Sequence, residues 1–269
     1  MKLSVCLATK NGEKYIKEQL RSILDEFTNF QHAIEGEGKI QFEVIIVDDT
    51  SDDKTVRVAE RYLKNNCENA SSYYKILEND VTRGVSASFE LAIETATGDF
   101  IFLSDQDDIW VDGRLKLLYD ELNSEKSVQL VASNYSGFIE DEHGEHQKIT
   151  TFDQKFRLKS ADQGRFSKLK MKLFLKTVPF YGCTFAFRRH LKTAVLPFPH
   201  KVQNAYDEWI AYCALSARVV RIVEKNTVLR RIHDNNLTSK KLRKFSSILS
   251  SRLHSLGLMS VAANRRHRL

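Results

Sequence analysis

Cysteine is scarce in this 269-residue sequence: Cys6, Cys67, Cys183 and Cys213 stand far apart. Their spacing gives neither a redox pair nor a zinc-type ligand set, so buried free thiols are expected. No apolar run approaches the roughly 20 residues that cross a bilayer, which excludes a membrane-spanning helix. The apolar start at Met1–Ala8 is too short for a signal peptide and leads into a helix-like segment, which predicts a cytoplasmic location. Nothing after the first strand reads G-x-x-x-x-G-K-[ST] or G-x-G-x-x-G; Ala8-Thr9-Lys10-Asn11-Gly12-Glu13 stands there, which disfavours a P-loop or a nicotinamide cofactor. Internal repeats and low-complexity segments are also missing. Acid is absent from residues 240–269, which hold eight Lys or Arg. The formal charge of +6 less those eight leaves the first 239 residues at −2. The basic excess is not spread along a face interleaved with aromatics, so nucleic acid is not an expected partner.

What is present is globular: 42% hydrophobic and 28% charged residues, enough for one large domain or two packed halves. Apolar runs at Leu3–Ala8, Phe42–Val47, Tyr73–Leu77 and Phe100–Leu103 alternate with helical patterns at about 14–27, 53–64 and 85–97. Strands that read as continuous apolar runs belong to a parallel sheet covered on both faces, so residues 1–110 predict a doubly wound α/β half. Residues 111–237 read as α+β: a helix near 112–123, a strand near 128–136, a turn at 141–144, strand propensity over 180–187, a helix at 204–217 and a strand pair over 219–232. A Lys-rich stretch at about 150–172 suggests a lid. Residues 238–269 form the basic tail.

Polar clusters fall at the carboxyl ends of the strands, where open α/β sheets bind ligands. After β-like Phe100–Leu103 comes Ser104-Asp105-Gln106-Asp107-Asp108-Ile109-Trp110. Its three carboxylates must protonate, fan into water or share a cation, and Asp108 has the further option of capping the next helix. Asp48 ends the second strand, where a carboxylate commonly accepts hydrogen bonds from a nucleoside; Ser51 or Asp52 can cap the following helix instead. Arg83-Gly84 precedes the third helix and suits a base or phosphate, or plain solvent. Asp207 and Glu208 open a helix, where acids also serve as dipole partners. His233 follows a strand-like run and, alone, reads as an ordinary hydrogen-bonded histidine.

Taken together, Thr9-Lys10-Asn11-Gly12-Glu13, VDDTSDD (47–53), RGVSASFELAIETATGDFIFLSDQDDIW (83–110), YDEW (206–209) and RRIHDNN (230–236) resemble the inverting family 2 glycosyltransferases over residues 1–237. The wording SDQDDIW is most similar to bacterial rhamnosyltransferases and related enzymes that build cell-surface polysaccharides. The resemblance implies a GT-A fold: a Rossmann-like, mostly parallel nucleotide-sugar-binding half with an abutting α+β acceptor-binding half. It implies transfer of a sugar, with inversion, from a UDP-, dTDP- or GDP-linked donor to a saccharide or lipid-linked saccharide. Thr9, Asn11, Glu13, Asp48, Arg83, Gly84 and Asp105 would hold the nucleotide sugar. Asp107, joined by His233, would hold Mg2+ or Mn2+. Asp207 would be the base, with Glu208 its rival, because many relatives read Glu-Asp where Tyr206-Asp207-Glu208 stands. Lys10-Asn11 departs from the aromatic that often precedes Asn. A catalytically silent nucleotide-sugar-binding or scaffold protein, and a nucleotidyltransferase, are the alternatives.

In the tail, Leu242, Phe245, Ile248, Leu249, Leu253 and Leu256 recur at helical spacing beside Lys240, Lys241, Arg243 and Lys244, with Arg252 interrupting the stripe. Such a helix can lie on the inner membrane face or pack on its own domain or a second subunit.

Overall fold

A computed structural model describes residues 1–34, 40–67, 72–141, 145–149, 156–233 and 245–269, with side chains of the last segment from residue 249 onward. The β-α alternation is present: β1 (Lys2–Thr9), α1 (Ile16–Ala33), β2 (Gln41–Asp48), α2 (Thr55–Asn66), β3 (Ser72–Glu78), α3 (Val85–Thr95) and β4 (Phe100–Asp105). These strands pair in parallel in the order β3-β2-β1-β4. Their apolar runs are unbroken because both faces are covered. Ile16, Leu20 and Ile23 of α1 and Ala59 and Leu63 of α2 bury on one face. Phe89, Ala92 and Ile93 of α3 bury on the other. Thr9 is opposite Asp48, and Ala8 opposite Asp105. That register puts the polar tips of β1, β2 and β4 on one sheet edge.

The rest of the chain supplies β5 (Ile109–Trp110), α4 (Arg114–Ser124), β6 (Leu130–Glu140), β7 (His146–Ile149), α5 (Phe166–Phe174), β8 (Phe185–Arg188), α6 (Lys192–Val195), α7 (Tyr206–Ala217), β9 (Val220–Arg231) and α8 (Phe245–Arg265). β8 pairs antiparallel with both β4 and β6, and β9 runs parallel to β6, so one sheet continues through both halves as β3-β2-β1-β4-β8-β6-β9-β5, with β7 on β6.

Several expectations need correction. Strand over 180–187 shrinks to β8, because Gly182–Thr184 closes a 3-10 turn in which Thr184 donates both its amide and its hydroxyl to the Tyr181 carbonyl, at 3.0 and 2.8 Å. The expected strand pair over 219–232 is one strand, β9. Its polar centre sits at a bulge opposite Asn134 instead of a turn, with Asn134 Nδ2 donating to the Glu224 carbonyl at 3.0 Å. Of the expected lid, 150–155 lie outside the described residues. The remainder is anchored by buried Leu158, Leu169 and Leu173. Of the expected turn at 141–144, residues 142–144 also lie outside. Cys6, Cys183 and Cys213 are buried free thiols, whereas Cys67 is half-buried.

Helix α8 docks on its own domain. Ser255, Leu258 and Ala262 are fully buried, and α8 lies against α7. Arg252 donates to the Phe174 carbonyl and, at 2.9 Å, to that of Leu175. Arg265 lies 5.0 Å over the Trp209 ring and donates to Pro197 O at 2.8 Å. The predicted apolar stripe is therefore not the docking face: Leu249, Leu253 and Leu256 are exposed. Leu242 lies outside the described residues, as do the side chains of Phe245 and Ile248. Among the described residues no helix is long and apolar enough to cross a membrane.

Candidate functional site

At the β1–β2 edge the expected donor residues meet, largely by bonding to one another. The Asp48 carboxylate accepts from Thr9 Oγ1 (2.8 Å), Ser51 N (2.7 Å) and Ser51 Oγ (2.6 Å). It is buried and organises the loop, so Ser51 binds Asp48 and does not cap α2. Asp53 does that, accepting the Thr55 amide at 2.9 Å. Asn11 Oδ1 accepts Asp52 N at 2.8 Å. Glu13 turns toward the start of α2, accepting Lys54 N at 3.1 Å. Asp49, which the sequence reading passed over, takes the amides of Arg83 (2.7 Å) and Gly84 (2.9 Å). Burial alone would raise its pKa, but those amides and the Asn79 side chain hold it below the usual carboxylate range. The turn needs glycine at 84, where φ is +85°. Arg83 itself is exposed at the rim.

The acid turn after β4 is held from two directions. Gln106 exchanges hydrogen bonds with the backbone of Lys10, 2.9 Å each way. Arg231 donates from its amide to Asp108 Oδ1 (3.2 Å) and from Nε to the Asp107 carbonyl (3.1 Å), while its guanidinium pairs with Glu18 and Glu140. Asp108 is thus buried and structural. The first amides of α4 are capped by Glu26, at 2.7 Å from Gly113 N and 2.9 Å from Leu115 N. Asp107 points instead to His233, whose Nε2 lies 2.8 Å from Asp107 Oδ2. The imidazole stacks on Tyr15 with ring centroids 4.9 Å apart. Asp105 is pushed up to about 6, first by burial and then by Asp107.

Across the same cleft stands the first turn of α7. Tyr206 stacks on Phe89 at 4.1 Å and donates its hydroxyl to Asp105 Oδ1 at 3.3 Å. A Cβ at position 182 would lie 2.3 Å from that hydroxyl, which explains Gly182. Burial lifts Asp207 to about 6, opposed by Lys176 and Arg230. Tyr206 therefore joins α7 to the β4 turn, and Asp105 feels the charge of both Asp107 and Asp207. Glu208 does not join them: it pairs with Lys176 and accepts Ser255 Oγ at 3.0 Å. The variant Glu208→Gln should therefore lower Tm by a few degrees, about 1 kcal/mol for a partly exposed pair plus a hydrogen bond, while turnover stays within about threefold. Thermal unfolding alongside a rate assay separates these effects.

Arg230 also lacked a role in the sequence. It lies between Tyr181 and Tyr135, 4.9 and 5.6 Å from their ring centroids, and its charge bears on Asp105, Asp108 and Asp207. The sequence signal was two arginines inside a buried strand, where each must find partners. For a divalent cation the cleft offers two groups. Asp105, Asp108 and Cys183 have ligand atoms within 4.8 Å of one another. Burial raises the Cys183 thiol well above its usual range and soft sulfur is a poor partner for a hard cation, while Asp108 gives one oxygen, Oδ1, to the Arg231 amide. Asp107 and His233, 2.8 Å apart, lie outside that group; their oxygen and nitrogen donors are of the kind Mg2+ or Mn2+ accepts.

Comparison with known proteins gives the following. The sequence model described as glycosyl transferase family 2 matches residues 4–193. Staphylococcus aureus TarS, a poly(ribitol-phosphate) beta-N-acetylglucosaminyltransferase, is 35% identical over 108 residues, 40% of this chain and 16% of that protein. Shigella flexneri RfbG, a dTDP-rhamnosyl transferase, is 25% identical over 86% of this chain and 72% of its own length. The chain spans less than half the length of the first curated relatives it matches, 45% of one and 16% of the next. The crystal structure of TarS 1–349 with UDP-GlcNAc superposes with a TM-score of 0.64 at 18% identity, covering 98% of this chain and 72% of that one. Mycobacterium tuberculosis glucosyl-3-phosphoglycerate synthase, crystallised with Mn2+ and UDP, gives 0.55 at 15% identity, covering 98% and 80%. At those identities the likeness establishes the fold, the expected GT-A arrangement.

Proposed function

The chain belongs to glycosyl transferase family 2, and from that premise we propose that it transfers a sugar, with inversion, from a nucleoside diphosphate donor to a hydroxyl of a saccharide or lipid-linked saccharide. The setting we infer is cytoplasmic assembly of cell-surface polysaccharide, in keeping with the activities named for TarS and RfbG. One observation carries the chemistry: Tyr206 of α7 reaches Asp105 of the β4 turn at 3.3 Å, which brings the half-buried carboxyl of the next residue, Asp207, pushed up to about 6 by desolvation, beside the acid turn.

Such a group is ionised at pH 7 yet basic enough to take a proton, the property a general base needs. An acceptor hydroxyl within about 3 Å of Asp207 loses its proton as it attacks the anomeric carbon. Opposite it, the diphosphate leaves toward the β4 turn. A single in-line displacement inverts the centre, and no protein nucleophile is required. Tyr206 fixes the Asp105 rotamer on the donor side, and Arg230 supplies positive charge beside both carboxylates. The tip residues Thr9, Asn11, Asp48, Arg83 and Gly84 shape the nucleoside end, where backbone held by Asp48 and Asp49 supplies the rigid wall. Glu13 contributes by fixing the start of α2. Asp107 and His233 would hold Mg2+ or Mn2+, which would supply positive charge beside the departing diphosphate. In this reading residues 1–110 carry the donor and 111–237 the acceptor and base.

A thermal-shift panel of UDP, dTDP, GDP and their sugars, with and without Mn2+, tests the reading. The matching nucleotide at about a hundred times Kd should raise Tm by roughly 5–10 °C. No shift with any nucleoside diphosphate and either cation would remove the proposal.

A further inference from the structure

Eight large hydrophobic side chains are exposed among the described residues, and five of them gather on two touching helices: Met171 on α5 and Leu175 just beyond it, with Leu249, Leu253 and Leu256 on α8. The three α8 leucines follow at i, i+4 and i+7, on the side opposite the buried Ser255, Leu258 and Ala262. Arg252 ties the two helices together by donating to the carbonyls of Phe174 and Leu175, which holds the α5 and α8 side chains near one another. Clustered exposure of this kind marks an interaction face.

Its surroundings are cationic. Residues 245–269 contain no acid and four arginines, of which Arg252 and Arg265 turn inward to backbone carbonyls, and 159–176 contain six Lys or Arg and one acid, Asp162. That acid is held by Lys168 and Lys172. Lys201 runs along α8, its Cδ 3.9 Å from where a Cβ of Gly257 would be, and with Lys176 it bears on His254. A second copy meeting this face about a two-fold axis would set these cations against their own like. An anionic bilayer matches both properties: apolar side chains enter the headgroup boundary, and each basic residue near the surface contributes about 1 kcal/mol.

We propose that the α5–α8 face docks on an anionic lipid surface and thereby holds one side of the cleft toward the membrane. The link to the cleft is short. Glu208 pairs with Lys176 at the end of α5 and accepts Ser255 of α8, and the next residue back is Asp207. Docking stands independently of the reaction; its consequence, delivery of a lipid-linked acceptor to Asp207, rests on the proposed function.

The test is co-sedimentation of the full chain with phosphatidylcholine vesicles, with and without phosphatidylglycerol, for the wild type and the double variant Leu249→Gln, Leu253→Gln. Both leucines are exposed, so the fold should be kept, and Tm with and without the matching nucleotide is measured on the same samples. Binding to anionic vesicles, weakened more than about tenfold in the variant and by salt, supports docking. Absence of wild-type binding overturns it, as does binding that the variant leaves unchanged, or a wild-type dimer that the variant dissociates. Loss of the nucleotide shift with vesicle binding intact removes the reaction and leaves the docking face.

Discussion

Asp207→Asn should lower kcat by about 10²- to 10⁴-fold, the range general base catalysis contributes, with the nucleotide-induced Tm shift retained. The amide keeps the shape and the acceptor oxygen that takes the Glu208 amide at 2.8 Å, so α7 still starts correctly. What it loses is the ability to accept a proton. The pH profile gives the sign. A carboxyl raised to about 6 is protonated below that pH, so wild-type activity should rise with pH through about 6 and level off above it. Asp105, raised to a similar value, steepens the same limb by restoring charge on the donor side. In the variant the residual rate should lose the contribution of Asp207 to that limb. Turnover within tenfold of wild type would exclude Asp207 as base, and Glu208, turned away to Lys176 and Ser255, could not replace it without undoing both contacts.

The choice between those two neighbours shows where sequence reading stops. The β-α alternation and the strand tips were legible because period and burial are local properties, and β1 to β4 follow them. Helical spacing puts Asp207 and Glu208 about 100° apart, but which one faces a cleft depends on what packs behind. Glu208 finds its partners 32 and 47 residues away, in elements whose placement no local pattern fixes. The tail misled for the same reason. The described leucines read as its stripe are exposed, and the docking is done by buried Ser255, Leu258 and Ala262 and by arginines that reach for carbonyls on α5 and α6. Asp48 lies at the tip of β2, where its ligand role was expected, and it also closes its own loop, because Ser51 lies three residues on and offers two donors.

Asp107→Ala should abolish the Mn2+-dependent part of the nucleotide-induced stabilisation and reduce turnover by about 10³-fold, the scale of several kcal/mol of charge stabilisation on a leaving diphosphate. The turn itself should survive. Arg231 holds the Asp107 carbonyl, the Asp108 carboxylate, Glu18 and Glu140, none of which depends on the Asp107 side chain. His233→Ala removes the second proposed ligand and the stacking on Tyr15, so it should weaken Mn2+ dependence less, about tenfold. The two losses should not add, since each residue acts on one ion. Isothermal titration of the matching nucleoside diphosphate at several Mn2+ concentrations reads both. Were its affinity to depend on Mn2+ as strongly in Asp107→Ala as in the wild type, the cation would be held elsewhere. The next candidates would be the group of Asp105, Asp108 and Cys183, in which Asp108 Oδ2 has no hydrogen-bond partner among the described residues, and Arg230 as the charge facing the diphosphate. The physical demand is the same in either case. Asp105, Asp107 and Asp108 crowd into seven residues that end in buried Trp110. A second negative group can enter that cleft only if positive charge accompanies it.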